Sequence, residues 1–257
     1  MKTYSCSVKL LRRSLTNHQE GTGTILLVTW SLSHLTPLCI GRQARCGSTV
    51  LPHHRHSRAY LSLVLAGKLE EAGDRGLNQV SAGQVLVHGP YEGHCNRYFG
   101  RGVEVLNLEC NSHIPNAAVL CASDPDAVVR IAERDPREAI AILLQTSNAL
   151  LKTNRDWPEI LALDIAINPE LKLQSWARDH DLADATVSRG FRQVFGISPS
   201  GYRAQFRARI AYERIRGSED TLSSIAANYG FSDQAHMSHA IRSLTNRTPS
   251  YHRTHVK

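Results

Sequence analysis

The last hundred residues of the chain repeat themselves, and that repeat restricts the possible folds more than any other feature. Leu173-Gln174-Ser175-Trp176-Ala177 returns as Leu222-Ser223-Ser224-Ile225-Ala226. Thr186-Val187-Ser188-Arg189-Gly190-Phe191-Arg192 returns as His236-Met237-Ser238-His239-Ala240-Ile241-Arg242. Phe195-Gly196-Ile197-Ser198-Pro199-Ser200 returns as Thr245-Asn246-Arg247-Thr248-Pro249-Ser250. A supersecondary unit that recurs is a stronger signal than any single motif. Each copy reads as helix–turn–helix. The first helix carries a small alanine, Ala177 or Ala226, where a second helix crosses closely. A turn follows, Asp181-Leu182-Ala183 or Gly230-Phe231-Ser232. In the second helix Val187 and Phe191, then Met237 and Ile241, fall four apart and mark the buried stripe. Ser188, Arg189 and Arg192, then Ser238, His239 and Arg242, are left to face outward. In a helix–turn–helix that outward face enters the major groove of DNA. A plain helical bundle with solvated arginines is the rival reading. Two tandem copies, each closed by Ser/Thr-Pro-Ser, argue against it.

A helix from Pro199 to about Arg216 joins the copies, with Ser198 as its N-cap and Pro at a tolerated first position. Eighteen residues at 1.5 Å span about 27 Å. With the offsets at each end, the two reading helices fall about one DNA turn apart, near 34 Å. Arg189 has the chemistry to read a base. A guanidinium pairs bidentately with guanine O6 and N7, worth about 1–3 kcal/mol of discrimination. Arg192, Arg242 and Arg207 read as phosphate contacts or solvated charges.

The text before this region is different. Residues 1–50 are an irregular leader, with one strand expected near Ile25–Trp30. Ala59–Leu65, Val80–His88 and Val103–Cys110 are strand-like runs separated by Gly, Asp and Asn turns, which suggests an all-β sandwich or barrel. Helical periodicity starts near Asp124, which with Ser123 is a candidate cap ahead of Pro125. Pro136–Lys152 is amphipathic, with Ile140, Leu143, Leu144, Ala149 and Leu150 on one stripe. That stripe either packs on the β domain or forms a dimer seam. Asn154-Arg155-Asp156-Trp157-Pro158 reads as a linker. The expected class is α+β with two domains: a β-barrel with trailing helices over 51–155 and an all-α double helix–turn–helix domain over 158–257. The two units cover 171–196 and 221–246.

Net charge is +7, but its distribution weakens a direct inference to nucleic acid. Residues 1–58 hold eight Lys/Arg against one Asp/Glu, residues 59–158 nine against twelve, and residues 159–257 thirteen against ten. Most of the excess therefore lies in the leader, where a basic stretch reads as a solvated tail. No apolar run approaches the ~20 residues of a membrane span, and no secretory signal pattern is present. The six cysteines have no CxxC and no regular spacing, so reduced cytoplasmic thiols are expected. No nucleophilic triad, P-loop or dinucleotide fingerprint stands out, and no enzyme is expected.

The β region has a histidine cluster, His53-His54-Arg55-His56, with His94 further on. His-x-His on one strand with a third histidine from another is metal-ligand spacing. Polar lining of an organic-ligand pocket and plain strand histidines are the alternatives. Pocket lining is the preferred reading, with His54, His56, Tyr60, Glu92 and His94 as candidates on spacing. No metal or resident cofactor is expected.

Two resemblances add to this. Leu171–Arg253 resembles the AraC/XylS group of bacterial transcription regulators. The second copy carries it best, Ile225-Ala226-Ala227-Asn228-Tyr229-Gly230-Phe231-Ser232-Asp233-Gln234-Ala235-His236-Met237-Ser238 through Thr248-Pro249-Ser250-Tyr251. The resemblance implies base contacts from Ala185, Ser188 and Arg189 in the first unit, and from Gln234, Ala235, His236 and His239 in the second. It implies double-stranded DNA as partner, a homodimer, an effector-binding barrel and contact with RNA polymerase. Three positions depart from the family pattern: His239 stands for Arg, Asn246 for Gly, and Ala183 for a capping Ser. The β region is similar to cupins, with His54, His56 and Tyr60 in the first motif and Glu92 and His94 near the second. Tyr60 stands where metal cupins place a ligating Glu. The function expected is a sequence-specific regulator modulated by a small effector. A constitutive regulator with a purely dimerising β domain is the alternative, and a metal cupin enzyme a more distant one.

Overall fold

The computed structural model describes residues 35–111, 114–150 and 155–255. The strand expected near Ile25–Trp30 lies outside the described residues. Among the described residues nine strands come first: β1 (Gly41–Cys46), β2 (Val50–Arg55), β3 (Tyr60–Ala66), β4 (Lys68–Gly73), β5 (Gly76–Ser81), β6 (Gln84–His88), β7 (Gly93–Tyr98), β8 (Gly102–Glu109) and β9 (Val119–Cys121). Helices α1 (Pro125–Ala132) and α2 (Pro136–Thr146) follow, then the two-residue β10 (Asn148–Ala149). One antiparallel sheet has the order β1-β8-β3-β6-β9-β10 and the other β2-β7-β4-β5.

Strand alternation explains how this domain is layered. Leu61 and Leu63 of β3, Val85 and Val87 of β6, and Leu106 and Leu108 of β8 point away from the smaller sheet, onto Val128 of α1 and Ala139, Ile140 and Leu143 of α2. The other phase of the same strands points between the sheets. There Val64, Leu86, Val103 and Val105 meet Leu69 and Val80 from the smaller sheet. Asp124 Oδ1 accepts from Ala127 N at 2.8 Å and caps α1, with Pro125 next. The apolar stripe of α2 is thus taken up by its own domain. Helix α2 ends at Thr146 rather than continuing to Lys152, because Asn148 and Ala149 pair with Cys121 and Leu120 of β9.

The β domain begins earlier than its apolar pattern suggests. Residues 41–46, expected in the leader, pair along their length with β8, from Gly41 opposite Asn107 to Cys46 opposite Gly102. The strand (GRQARC) has little apolar alternation because it is an edge strand, with no buried residue. Arg42 and Glu104 form a 2.8 Å ion pair across the pairing.

The described residues from 155 onward are mainly helical. Asp156, within the expected linker, caps α3 (Trp157–Ile167) by accepting from Trp157 N at 2.7 Å. The repeat follows as α4 (Leu173–Asp179), α5 (Asp184–Phe195), the connecting α6 (Pro199–Gly217), α7 (Leu222–Asn228), α8 (Gln234–Thr245) and α9 (Pro249–Thr254). The outer face of the smaller sheet packs on this region. Ala72 of β4 and Cys95 of β7 share a core with Leu161, Trp176, Phe191, Phe195 and Tyr202. Burying a side chain such as Phe191 contributes about 1.5–3 kcal/mol.

Candidate functional site

The two reading helices are built to one plan. Ala177 and Ala226 are both 1% exposed, which lets the second helix of each unit cross closely. Val187 and Phe191 in α5, and Met237 and Ile241 in α8, are buried beneath their helices. The outward side of α5 exposes Ala185, Ser188, Arg189 and Arg192. The outward side of α8 exposes Gln234, Ala235, His236, His239 and Arg242, with Ser238 half-buried. Among the described residues, Arg189, Arg192 and Arg242 have no carboxylate partner. An unpaired guanidinium on an exposed helix face keeps its five donors for an external acceptor.

Both helices end on a left-handed residue, Gly196 at φ 71° and Asn246 at φ 61°. Asn tolerates that conformation, so the departure at 246 is structurally mild. The N-termini differ. Asp233 accepts from His236 N at 2.7 Å and caps α8. Ala183 is the N-cap of α5 and offers no side-chain acceptor, while Asp184 lies within the first turn. Arg207, expected among the exposed phosphate contacts or solvated charges, is instead a part-buried clamp. Its guanidinium donates to Gly230 O at 3.0 Å and to Pro169 O, tying α6 to the turn between α7 and α8 and to the segment before α4.

The smaller sheet holds this domain through its outward side chains. Cys95 Sγ donates to Val194 O at 3.4 Å, and Arg97 donates to Gln193 O. Arg55 donates to Ser243 O at 3.4 Å, reaching the second unit. Arg209 of α6 pairs with Asp74 at 2.8 Å and with Glu213 at 2.6 Å. Burial opposes the Arg209 charge, but Asp74, Glu213 and Glu92 outweigh it and raise its pKa.

The inner face of that sheet carries the histidines. Alternation sends His53 and Arg55 outward and His54 inward, with His56 just past the strand end. His54, His56, Tyr60 and His94 meet between the sheets. The His54 ring lies 4.3 Å from His94 and 5.0 Å from His56, centre to centre. Tyr60 Oη and His94 Nε2 are hydrogen-bonded at 3.2 Å. Burial lowers the pKa of His54, takes His56 down to about 4, and holds His94 well below the usual imidazole value. These three rings are therefore neutral near pH 7.

Glu92 does not join them. Its carboxylate accepts from Arg75 Nε and Gly89 N, each at 2.7 Å. Burial opposes its charge, but Arg75 holds its pKa below the ordinary carboxylate value. The carboxylate beside the histidines is Glu71 of β4, both of whose oxygens lie 3.0 Å from His88 Nε2. Asn96 Nδ2 donates to Glu71 Oε2 at 2.7 Å. His88 stacks on Tyr60 with 4.1 Å between ring centres. Two overlapping triads, His54/His56/His94 and Glu71/His88/His94, have donor atoms near enough to share one ion, each set lying within 4.8 Å. Sequence reading missed Glu71 and His88. The one available signal was His88 ending an apolar strand six residues before His94, and nothing in Lys68–Gly73 marks Glu71 as inward-facing.

Comparison with known proteins agrees with the helical geometry. Residues 176–255 match a helix-turn-helix domain family. The HTH-type transcriptional activator RhaR of Mannheimia succiniciproducens is 28% identical over 93 residues, 36% of this chain and 34% of that protein. The chain thus spans about a third of the length of that curated relative. Among solved structures, an AraC-type DNA-binding domain-containing regulator from Chromobacterium violaceum is 24% identical, covering 37% of this chain and 88% of that one at a TM-score of 0.36. ToxT from Vibrio cholerae O395 is 8% identical, covering 83% of this chain and 95% of that one at a TM-score of 0.41. The tandem repeat, its two exposed helix faces and the family match together make residues 176–255 a helix-turn-helix domain.

Proposed function

We propose that the chain is a transcription regulator that reads two successive major-groove segments of double-stranded DNA, one with α5 and one with α8. The observation that carries this is the pair of like-built helices, each with a buried apolar stripe and an exposed polar face. Ala185, Ser188 and Arg189, with Gln234, Ala235, His236 and His239, are the candidate base contacts. Arg192 and Arg242, further along the same faces, are the candidate phosphate contacts. The 19-residue α6 separates the units by about 28 Å, a span that suits two neighbouring groove faces.

The β domain is the signal-receiving part in this reading, with His54, His56, Tyr60 and His94 lining a ligand site. A ligand there acts on DNA binding only if it prefers one disposition of the domains over another. Its lever is β2, whose inward His54 and outward Arg55 are adjacent residues. The regulator works in the cytoplasm as a homodimer and contacts RNA polymerase. Selection of DNA from a random pool by full-length protein at fixed salt tests the core of this proposal, because phosphate binding alone varies steeply with salt. The expected result is an enriched bipartite motif with blocks about one helical turn apart. Recovery of a single block, or of no motif, overturns two-helix reading.

A further inference from the structure

We propose that the space between the two sheets is a transition-metal site, with His54, His56 and His94 as ligands and the Glu71–His88 pair beside them. The proposal rests on reading this interior as a ligand site and names the class of ligand. It does not depend on the DNA-reading proposal.

The first support is tautomer geometry. His54 Nδ1 lies 2.8 Å from Pro52 O, and His56 Nδ1 lies 2.9 Å from Thr36 O. A carbonyl only accepts, so both Nδ1 atoms carry the proton and both Nε2 atoms keep a lone pair. Metal-binding histidines are commonly held this way, with the far ring nitrogen donating to a backbone carbonyl that fixes orientation. The lone pairs come from two rings in edge contact, and the third ring, His94, contacts both.

The second support is unmet bonding. His94 Nδ1 and His88 Nδ1 are buried without a hydrogen-bond partner. Leaving a buried polar atom unsatisfied is unfavourable, and such atoms call for an explanation when they cluster. The His94 atom is on a proposed ligand, whose Nε2 is held by Tyr60, and so is the one an ion would satisfy; His88 stays on Glu71. The third support is size. Ring centres 4.3 to 5.5 Å apart leave no room among His54, His56 and His94 for an organic molecule. An ion bound at about 2.0–2.1 Å from each nitrogen fits after small side-chain rotations. Three imidazoles with a nearby carboxylate suit zinc, copper, iron or nickel better than magnesium or calcium. Tyr60 does not have to replace the ligating Glu of the cupin pattern, because Glu71 supplies a carboxylate from β4. That carboxylate is engaged by His88 and Asn96, so it serves as an outer partner in this assignment.

The test uses full-length protein stripped with a chelator and titrated with Zn²⁺ by calorimetry and with Co²⁺ by visible absorption. One equivalent is expected, and X-ray absorption of the zinc form should show imidazole ligands with no sulfur. His54→Gln and His56→Gln should each weaken binding by about 100-fold or more, at or beyond the upper end for changes outside the ligand set. His255→Gln, on the exposed C-terminal helix end, should leave it unchanged. No binding of either metal, binding untouched by the cluster variants, or a sulfur-containing zinc shell overturns the proposal. The absorption measurement needs no variant and so stands if a variant misfolds. A thermal-shift screen of the stripped protein with small organic acids and alcohols, repeated on His56→Gln, separates two failures. Metal-free protein stabilised by an organic ligand in a His56-dependent way overturns the metal but keeps the ligand site. No response to metal or organic ligand overturns both.

Discussion

The two helix–turn–helix units share a plan but draw stability from different sources. In the second unit both helices are capped by side chains, α7 by Thr221 on Ser224 N at 3.2 Å and α8 by Asp233 on His236 N at 2.7 Å. In the first unit neither helix has a side-chain cap, since Lys172 and Ala183 occupy the cap positions. A missing cap costs about 1 kcal/mol. What the first unit lacks locally it gains from neighbours. Its core includes Leu161, Ala162 and Ile165 of α3, Ala72 of β4 and Cys95 of β7, whereas among the described residues the core of the second takes Tyr91 from the β domain, with part-buried Leu35 packed against it. Local helix signals and tertiary packing thus substitute for one another within a single repeat. The first unit therefore leans on β4 and β7, whereas the second meets the β domain through Tyr91 and the Arg55–Ser243 hydrogen bond.

The largest expected effect comes from emptying the shared core. Phe191→Ala should cost about 3–5 kcal/mol, and Ile241→Ala at the matching place in the second unit about 2–5 kcal/mol. The distinguishing readout is where protection is lost. Hydrogen exchange should rise in β4 and β7 for Phe191→Ala, because Phe191 shares its core with Ala72 and Cys95. For Ile241→Ala it should rise in α6, α7 and α8 and leave those strands unchanged. Equal loss in β4 and β7 from both variants would break the comparison.

A smaller effect tests the contact between α3 and α5. A Cβ on Gly190 would sit 2.5 Å from Trp157 Cζ2, so this glycine is required by close approach. Gly190→Ala should destabilise by about 1–3 kcal/mol through overpacking. The second unit already has alanine, Ala240, at the corresponding place. Denaturant midpoints of Gly190→Ala and of Gly190→Ala with Trp157→Leu should differ, with the second change recovering part of the loss. Absence of any loss in the single variant would remove Trp157 as the reason for the glycine.

The comparison extends to DNA. Arg189 in α5 is matched by His239 in α8. A bidentate guanidinium contact is worth about 1–3 kcal/mol of discrimination. Arg189→Ala should therefore lower the ratio of specific to scrambled binding by roughly 5- to 150-fold, with little change on scrambled DNA. His239→Ala should lower it by less. Equal loss on both DNAs would make Arg189 a phosphate contact, and a larger loss at His239 would reverse the order of the two units.

How much of this was legible in sequence follows from the same physics. The repeat exposed the helical half because its apolar residues recur at helical spacing and its caps and stops recur with them. Strands β3, β6 and β8 were legible because both of their faces are largely apolar. Strands β2, β4 and β7 were not, because their inward residues include His54, Glu71, His94 and Asn96, and polar side chains facing inward erase the hydrophobic alternation. The same inversion hid half of the histidine cluster. Spacing found His54, His56, Tyr60 and His94, which lie in or beside the family-like motifs. It named Glu92 and missed Glu71 because nothing in the sequence of β4 says that Glu71 turns inward. Arg207 was misplaced for a related reason, since an arginine that clamps two carbonyls looks like one that waits for phosphate.

The smallest effect isolates the caps themselves. Asp233→Ala removes the only side-chain acceptor at the start of α8 and should destabilise by about 1 kcal/mol. Ala183→Ser adds an acceptor where α5 has none, within reach of the first-turn amides, and should stabilise by a similar or smaller amount. If tertiary contacts have replaced the cap in the first unit, the gain at 183 should be smaller than the loss at 233. Both are read as shifts in denaturant midpoint at unchanged slope, so that the change reports stability and not a change in the unfolded ensemble. A gain at 183 equal to the loss at 233 would mean that the first unit simply lacks a cap, with nothing in α3 or the β domain having taken over its role.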